Sequence, residues 1–213
     1  KRADAEQLAR TMVDLGTAAA VRTVAYVTSM ESPLGRAAGN AVEVAQAVEV
    51  LNGGGPADVV ELTLTLARAM LEAAGIDADP AEALSSGRAL DTWRAMIRGQ
   101  GGDPDAHLPT ARHTRVIEAP HAGVLTRLDA LSVGIAAWRL GAGRARKEDP
   151  VQASAGVTWT VGVGDHVEAG QPLFTLHTDT PDRFERAEAA LMDGWQLGEG
   201  PAESGPLVLG RID

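Results

Sequence analysis

The sequence has no cysteine in its 213 residues, and its aromatic side chains are few: four tryptophans, two phenylalanines and one tyrosine. Without cysteine, neither a disulfide framework nor a Cys-based zinc site can form. No apolar run approaches the roughly 20 residues that cross a bilayer, and the N-terminus lacks the apolar core of a signal peptide. We therefore expect a cytoplasmic protein with no membrane partner.

Basic residues are also scarce, because 19 Lys and Arg stand against 29 Asp and Glu, for a net charge of −10. Proteins that bind the phosphate backbone of nucleic acids rely on clustered Lys and Arg. We therefore expect no nucleic acid partner. Hydrophobic residues make up 45% of the chain, which is long enough to bury one large core or two modest ones. The sequence predicts a globular protein.

The first half of the chain combines helical periodicity with one β-branched run. It predicts a strand over 21–27 and helices over 3–15, 41–51, 59–74 and 80–98, with Asp58 as the N-cap of the third helix. The irregular stretch 28–40 follows the strand, where α/β proteins place ligands. A helix that begins directly after Lys1 indicates that the chain is part of something longer.

The second half changes to short strands after a stretch rich in Gly, Asp and Pro at 99–109. Its predicted strands are 116–119, 123–128, 156–161, 172–177 and 207–212, and its predicted helices are 131–140 and 181–191. We place a domain boundary after residue 105. The fold class predicted is α/β followed by a smaller α+β module.

Residues 29–44, SMESPLGRAAGNAVEV, form the first informative segment. Gly35 and Gly39 permit close backbone approach, Asn40 is a good helix N-cap, and Glu43 stands at capping-box spacing. The segment resembles the part of pyrimidine-nucleoside phosphorylases, the thymidine phosphorylase type included, in which a PLG turn precedes GNAxEV at the start of a helix.

Two further runs are similar to the same family. Residues 140–149, LGAGRARKED, resemble its LGxGRxxKxD motif, and residues 162–173, GVGDHVEAGQPL, resemble its GDxVxxGxxL motif. The turn at Gly141–Arg144 fits either a helix C-cap or a phosphate loop. We favour the C-cap because Gly141 directly follows an apolar helix and no helix begins next. The GDxVxxGxxL run predicts two scaffold strands around a tight turn.

The resemblance covers nearly the whole chain and implies reversible phosphorolysis of thymidine, and of uridine or deoxyuridine, by inorganic phosphate. Residues 1–105 are then the C-terminal portion of the family's central mixed-sheet α/β domain, and residues 106–213 its smaller α+β domain. The family is dimeric, which implies a homodimer. Its phosphate-binding and base-binding residues lie upstream of these motifs, so no catalytic or substrate-binding residue is assigned here.

A monovalent cation site, for K⁺, is also implied by the resemblance. Its ligands would be the backbone carbonyls of Leu34 and Ala37 and the side chain of Gln46. The family usually has Glu where Gln46 stands. An amide oxygen can coordinate a hard cation but adds no negative charge, so we expect weaker binding.

Other interpretations are weaker. The GDHVEAGQPL run also resembles barrel-sandwich domains that carry biotin or lipoate on a hairpin-tip lysine, but neither Lys1 nor Lys147 stands between predicted paired strands. A relative that uses phosphoribosyl pyrophosphate needs acidic pairs near a Gly-rich loop, which are absent. The interpretation that the chain is a scaffold protein that has lost the catalytic site stays open. The spacings of His107, His113 and His121 argue against zinc.

Overall fold

The computed structural model describes all residues from Lys1 to Asp213. The helices are α1 Arg2–Ala18, α2 Ala41–Leu51, α3 Ala57–Ala74, α4 Pro80–Ser85, α5 Arg88–Gly99, α6 Ala130–Ala137 and α7 Phe184–Met192. The strands are β1 Ala25–Thr28, β2 Ala37–Gly39, β3 His113–Glu118, β4 Gly123–Leu128, β5 Gly156–Trp159, β6 His166–Val167, β7 Pro172–Thr178, β8 Trp195–Gly198 and β9 Val208–Ile212. The predicted fold class, helices with short strands in an α/β and α+β combination, is confirmed.

Most predicted helices are observed, with two corrections. The helix predicted over 80–98 is α4 and α5, because Gly87 between them has a left-handed backbone with φ 80°. The prediction that Asp58 caps α3 is wrong: Pro56 occupies the N-cap position. The Asp58 carboxylate instead accepts a hydrogen bond from the backbone N–H of Gly35 at 2.9 Å.

Only the second part of the strand predicted over 21–27 is observed, as β1. Val21 is 58% exposed, and its backbone N–H donates to the carbonyl of Gly16 at 2.8 Å. This bond satisfies a carbonyl at the end of α1, so the residues around Val21 form the exit from the helix rather than a strand.

The strands form three antiparallel sheets, in the orders β2-β5-β7-β3, β6-β4-β8 and β1-β9. Two of these pairings connect distant parts of the chain. Strand β2 from the first half pairs with β5, and strand β9 at the C-terminus pairs with β1. The domain boundary at residue 105 stays a prediction.

One hydrophobic cluster of 19 buried residues lies between the sheets and helices α6 and α7. Its fully enclosed side chains include Leu125, Leu140, Phe174, Leu176 and Leu191. Strand β7 contributes Leu173, Phe174 and Leu176 to this cluster, and burial alternates along the strand from Phe174 to Thr178. No helix combines the length and apolar character needed to cross a membrane.

Candidate functional site

A cavity of about 390 Å³ lies between the turn at residues 33–38, the helices α2 and α3, and α6. Its lining includes Leu34, Ala37 and Gln46, the three residues predicted to hold a cation. The buried Trp159 forms another part of the wall, and its indole Nε1 has no hydrogen-bond partner in the protein. The structure therefore brings the three predicted residues to one place.

Side chains from two helices hold the turn in shape. Gly35 has φ 77°, and its N–H donates to Asp58 of α3 at 2.9 Å. The next N–H, of Arg36, donates to Oε1 of Gln46 at 2.6 Å. The positive φ of Gly35 favours glycine, and a Cβ atom there would lie 2.4 Å from Nε2 of Gln46 and would displace that side chain.

Glu43 and Arg36 complete the polar contacts of the turn. Glu43 Oε1 accepts from the N–H of Gly39 at 2.6 Å, one residue before the N-cap that a capping box would use. The guanidinium of Arg36 donates to the carbonyl of Gly35 at 2.9 Å. Backbone groups of the turn are thus paired with side chains of α2, α3 and the turn itself.

The oxygen atoms available at the turn suit the coordination of a monovalent cation. An amide oxygen from Gln46 and peptide carbonyls are hard oxygen ligands of the kind such ions take. Oε1 of Gln46 already accepts one hydrogen bond, from Arg36, and an amide oxygen has a second lone pair. Because Gln46 carries no charge, a cation would bind here less strongly than it would beside a carboxylate. Coordination by these three residues stays a prediction.

The second motif closes α6, as the C-cap interpretation predicts. The helix passes into a π-helical turn, Trp138–Ala142, in which Gly141 has φ 114°. Beyond it, the carboxylate of Asp149 accepts from the N–H groups of Ala145 and Arg146, at 3.2 and 2.8 Å. The N–H groups of Ala145 and Arg146 are therefore occupied, and the phosphate-loop alternative for Gly141–Arg144 stays untested.

The side chain of Asn40 connects the first motif, residues 29–44, to the loop after α6 by hydrogen bonds. Its Nδ2 donates to the carbonyl of Ala142 at 2.8 Å and to that of Gln152 at 3.0 Å. It occupies the N-cap position of α2, but its side chain makes no capping hydrogen bond. The predicted N-cap position of Asn40 is therefore confirmed, but the side-chain capping bond expected of it is absent. No local signal reveals the true role, since both partners lie more than a hundred residues away.

Gln152 is a second residue that sequence reasoning missed. Its Oε1 accepts from Thr178 Oγ1 at 3.0 Å and from the N–H of Asp179 at 2.7 Å, while its Nε2 donates to Thr180 at 2.9 Å. The carboxylate of Asp179 accepts from the N–H of Arg112, which holds the pKa of Asp179 below its usual value. Gln152 thus fixes the end of β7 against the second motif.

The GDxVxxGxxL run forms β6 and the start of β7 around Gly170, which has φ 78°. The two strands belong to different sheets, so the turn connects the three-stranded and the four-stranded sheet. Lys147 lies in the loop between the π-helical turn and β5, and Lys1 directly precedes α1. Neither lysine stands at a hairpin tip, so the structure does not favour a carrier domain.

Known proteins match this chain over most of its length. The model of the pyrimidine nucleoside phosphorylase C-terminal domain matches residues 124–198. A thymidine phosphorylase of Mycobacterium tuberculosis is 50% identical over 209 residues, which are 98% of this chain and 49% of that protein. A pyrimidine-nucleoside phosphorylase of Staphylococcus aureus is 38% identical over 191 residues, or 84% of this chain and 44% of that protein.

The chain thus spans about half the length of the curated relatives it matches. The matched region includes the turn at 33–38, the loop after α6 and the GDxVxxGxxL strands, which are the segments that carry the resemblance. The chain belongs to the family of thymidine and pyrimidine-nucleoside phosphorylases.

Proposed function

We propose that this chain is part of a pyrimidine-nucleoside phosphorylase that converts thymidine, and uridine or deoxyuridine, reversibly to the free base and (deoxy)ribose 1-phosphate. The observation that carries the proposal is the 50% identity to a thymidine phosphorylase across 98% of the chain. The hydrogen bonds of Asn40 support it, because they join two of the family's motifs in space.

In this reaction an oxygen of inorganic phosphate forms a bond to C1′ of the sugar. The bond from C1′ to the base nitrogen breaks, and the base leaves with the electron pair and takes up a proton. Such chemistry depends on positioning and on electrostatic stabilisation of a transition state with oxocarbenium character. We assign no catalytic or substrate-binding residue to this chain. Its contribution is structural support for the site.

The turn at 33–38 is the support that the family resemblance points to. We propose that K⁺ binds there through the carbonyls of Leu34 and Ala37 and the amide oxygen of Gln46. A bound cation supplies positive charge that holds the turn's carbonyls together. Gln46, Asp58 and Glu43 already fix the N–H groups of the same turn. Together they would give a rigid connection between β1 and α2.

Thermal unfolding in potassium chloride, compared with choline chloride at equal ionic strength, tests this site. Ligand that binds only the folded state raises the melting temperature. We expect a small rise for the wild type and a larger one for Gln46→Glu, which restores the carboxylate usual in the family. Gln7→Glu on the exposed face of α1 adds the same charge elsewhere and serves as the control. An equal potassium response in both variants would exclude the site.

A chimera tests the catalytic proposal. The segment of the Mycobacterium tuberculosis thymidine phosphorylase that aligns with this chain is replaced by residues 1–213, and release of thymine from thymidine is measured with and without phosphate. We expect phosphate-dependent release. A folded chimera that releases no thymine, beside an active parent enzyme, would favour a scaffold that has lost the chemistry.

The exposed apolar residues of α1 and α3 suggest how the remainder of such an enzyme would be attached. Leu8, Met12, Leu66 and Met70 are 38–66% exposed. We propose that these helix faces pack against the other half of a full-length enzyme, which acts as a homodimer in the cytoplasm. Sedimentation of the chimera should give the mass of a dimer, and a monomeric active chimera would contradict the dimer.

A further inference from the structure

A second cavity, of about 540 Å³, lies beside the end of α6. Its wall contains four arginines, Arg139, Arg144, Arg183 and Arg186, with Trp138 next to them. The volume falls within the range of about 300–1,000 Å³ that small-molecule sites occupy. The cavity shares no lining residue with the one at the 33–38 turn.

None of the four arginines forms an ion pair. Arg139 donates to the carbonyl of Arg186 at 2.8 Å, yet its buried Nε has no partner. Arg144 donates to the carbonyl of Lys147 at 3.1 Å. The guanidinium groups of Arg183 and Arg186 donate no hydrogen bond within the protein. Most donors in this cavity are therefore free, although the chain carries ten more negative than positive charges.

Two carboxylates also line the cavity, and they do not neutralise it. Oδ2 of Asp149 accepts from the backbone N–H groups of Ala145 and Arg146, so this carboxylate braces the loop. Asp182 lies in the 3₁₀ turn Pro181–Arg183 and pairs with none of the four arginines within 4.0 Å. Four guanidinium groups against two carboxylates leave the wall with a positive charge of two.

Helix capping does not account for the arginines. Basic residues at a helix C-terminus often pair with its last carbonyls. Here the carbonyl of Leu140 accepts from Thr178 Oγ1 at 2.7 Å, that of Gly141 from the N–H of Gln152 at 2.8 Å, and that of Ala142 from Asn40 at 2.8 Å. These carbonyls already have partners, so the arginines are not needed to cap the helix.

We propose that this cavity binds the phosphate group of a small phosphorylated ligand through Arg144, Arg183 and Arg186. Arginine binds phosphate through parallel, charge-assisted hydrogen bonds and is suited to this task by its planar group of donors. Trp138, which is 42% exposed, offers an aromatic wall on which a nucleobase can stack. The site is additional to the proposed phosphorolysis and uses residues that the reaction does not.

Calorimetric titration of the chain at low ionic strength tests the site, with inorganic phosphate, ribose 5-phosphate and uridine 5′-monophosphate as separate ligands. Substituting both free arginines, Arg183→Gln with Arg186→Gln, should raise the dissociation constant about tenfold or more. Arg10→Gln removes one charge from the exposed face of α1 and should change it less than about twofold. If the double variant is unfolded by circular dichroism, Arg186→Gln alone carries the test.

The three ligands distinguish the sources of the phosphate. Equal affinity for all three would mean that the site takes a phosphate group alone. Tighter binding of the nucleotide, lost in Trp138→Leu while binding of inorganic phosphate is kept, would identify a nucleotide site. Either result supports the proposal. No measurable binding of any ligand to the wild type at millimolar concentration, or equal weakening by Arg10→Gln, would overturn it.

Discussion

The strand-rich region and the helices before it bury their apolar residues to very different extents. Between residues 117 and 191 a single cluster holds 19 buried residues, whereas the 18 residues of α3 include none. On α1 only Ala9 and Val13 are buried. Helical periodicity indicates which face of a helix is apolar, but it does not tell what covers that face. The relatives are about twice the length of this chain, and the proposal above assigns the covering of these faces to that additional length.

The largest contrast between the regions should appear in leucine truncations. Leu176→Ala on β7 removes a fully buried side chain and should lower the free energy of unfolding by about 2–5 kcal/mol. Leu8→Ala on α1, where the leucine is 61% exposed, should change it by less than about 0.5 kcal/mol. Urea unfolding followed by circular dichroism measures both. Similar losses would mean that α1 is buried in solution, and the contrast would disappear.

A glycine substitution tests how β2 connects the two regions. A Cβ atom on Gly39 would lie 2.4 Å from the carbonyl oxygen of Ala155 and 2.6 Å from Cα of Gly156, so Gly39→Ala forces β2 away from β5. We expect a loss of about 1–3 kcal/mol in the free energy of unfolding. Gly53 also has a positive φ, of 87°, but has open space around it. Gly53→Ala therefore measures backbone strain alone, and an equal loss there would exclude the steric explanation.

The role of Asn40 can be separated from helix capping by a choice of substituent. Aspartate caps helices as well as asparagine does, but it cannot donate to the carbonyls of Ala142 and Gln152. We expect Asn40→Asp to cost about 1–2 kcal/mol of unfolding free energy, at least as much as Asn40→Ala. Near wild-type stability of Asn40→Asp, with a loss only in Asn40→Ala, would restore the capping role and remove this connection between the regions.

Elements with strong local signals could be predicted from the sequence. The bounds predicted for α2 and β4 are those observed, because Asn52 and Gly53 end the helix, Gly123 begins the strand and Asp129 follows it. Likewise, Gly141 has a positive φ in the π-helical turn that follows α6, close to the helix end predicted at residue 140. Each of these signals lies within a few residues of the feature that it determines.

Features that depend on distant residues could not be predicted. Strand β2 has three residues, too few for alternation, and forms because β5 offers it a free edge. Gln152 carries no motif, yet it fixes the end of β7. The arginines around the second cavity come from two segments about forty residues apart, and only folding brings them together. The family resemblance predicted the three residues of the cation site, and the structure places them around one cavity.

The smallest expected effect concerns the ion pairs that connect α3 to β9. The carboxylate of Glu72 contacts Arg211 at 3.2 Å and Arg22 at 3.0 Å. The hydrogen bond from Arg211 holds the pKa of Glu72 below its usual value. A carboxylate with a lowered folded-state pKa contributes stability above its unfolded pKa and loses it as the pH falls through the folded value. Glu72→Gln should therefore lower the melting temperature slightly at neutral pH.

This difference between wild type and Glu72→Gln should shrink as the pH falls below the usual glutamate pKa, and should vanish only below the lowered folded-state pKa of Glu72. Glu61→Gln on the same helix removes an equal charge that has no ion pair and is the control. Because Glu72 is half-exposed, salt should weaken the effect as well. A difference that persists in acid would show that the amide disturbs packing between α3 and β9, and that charge does not hold the two together.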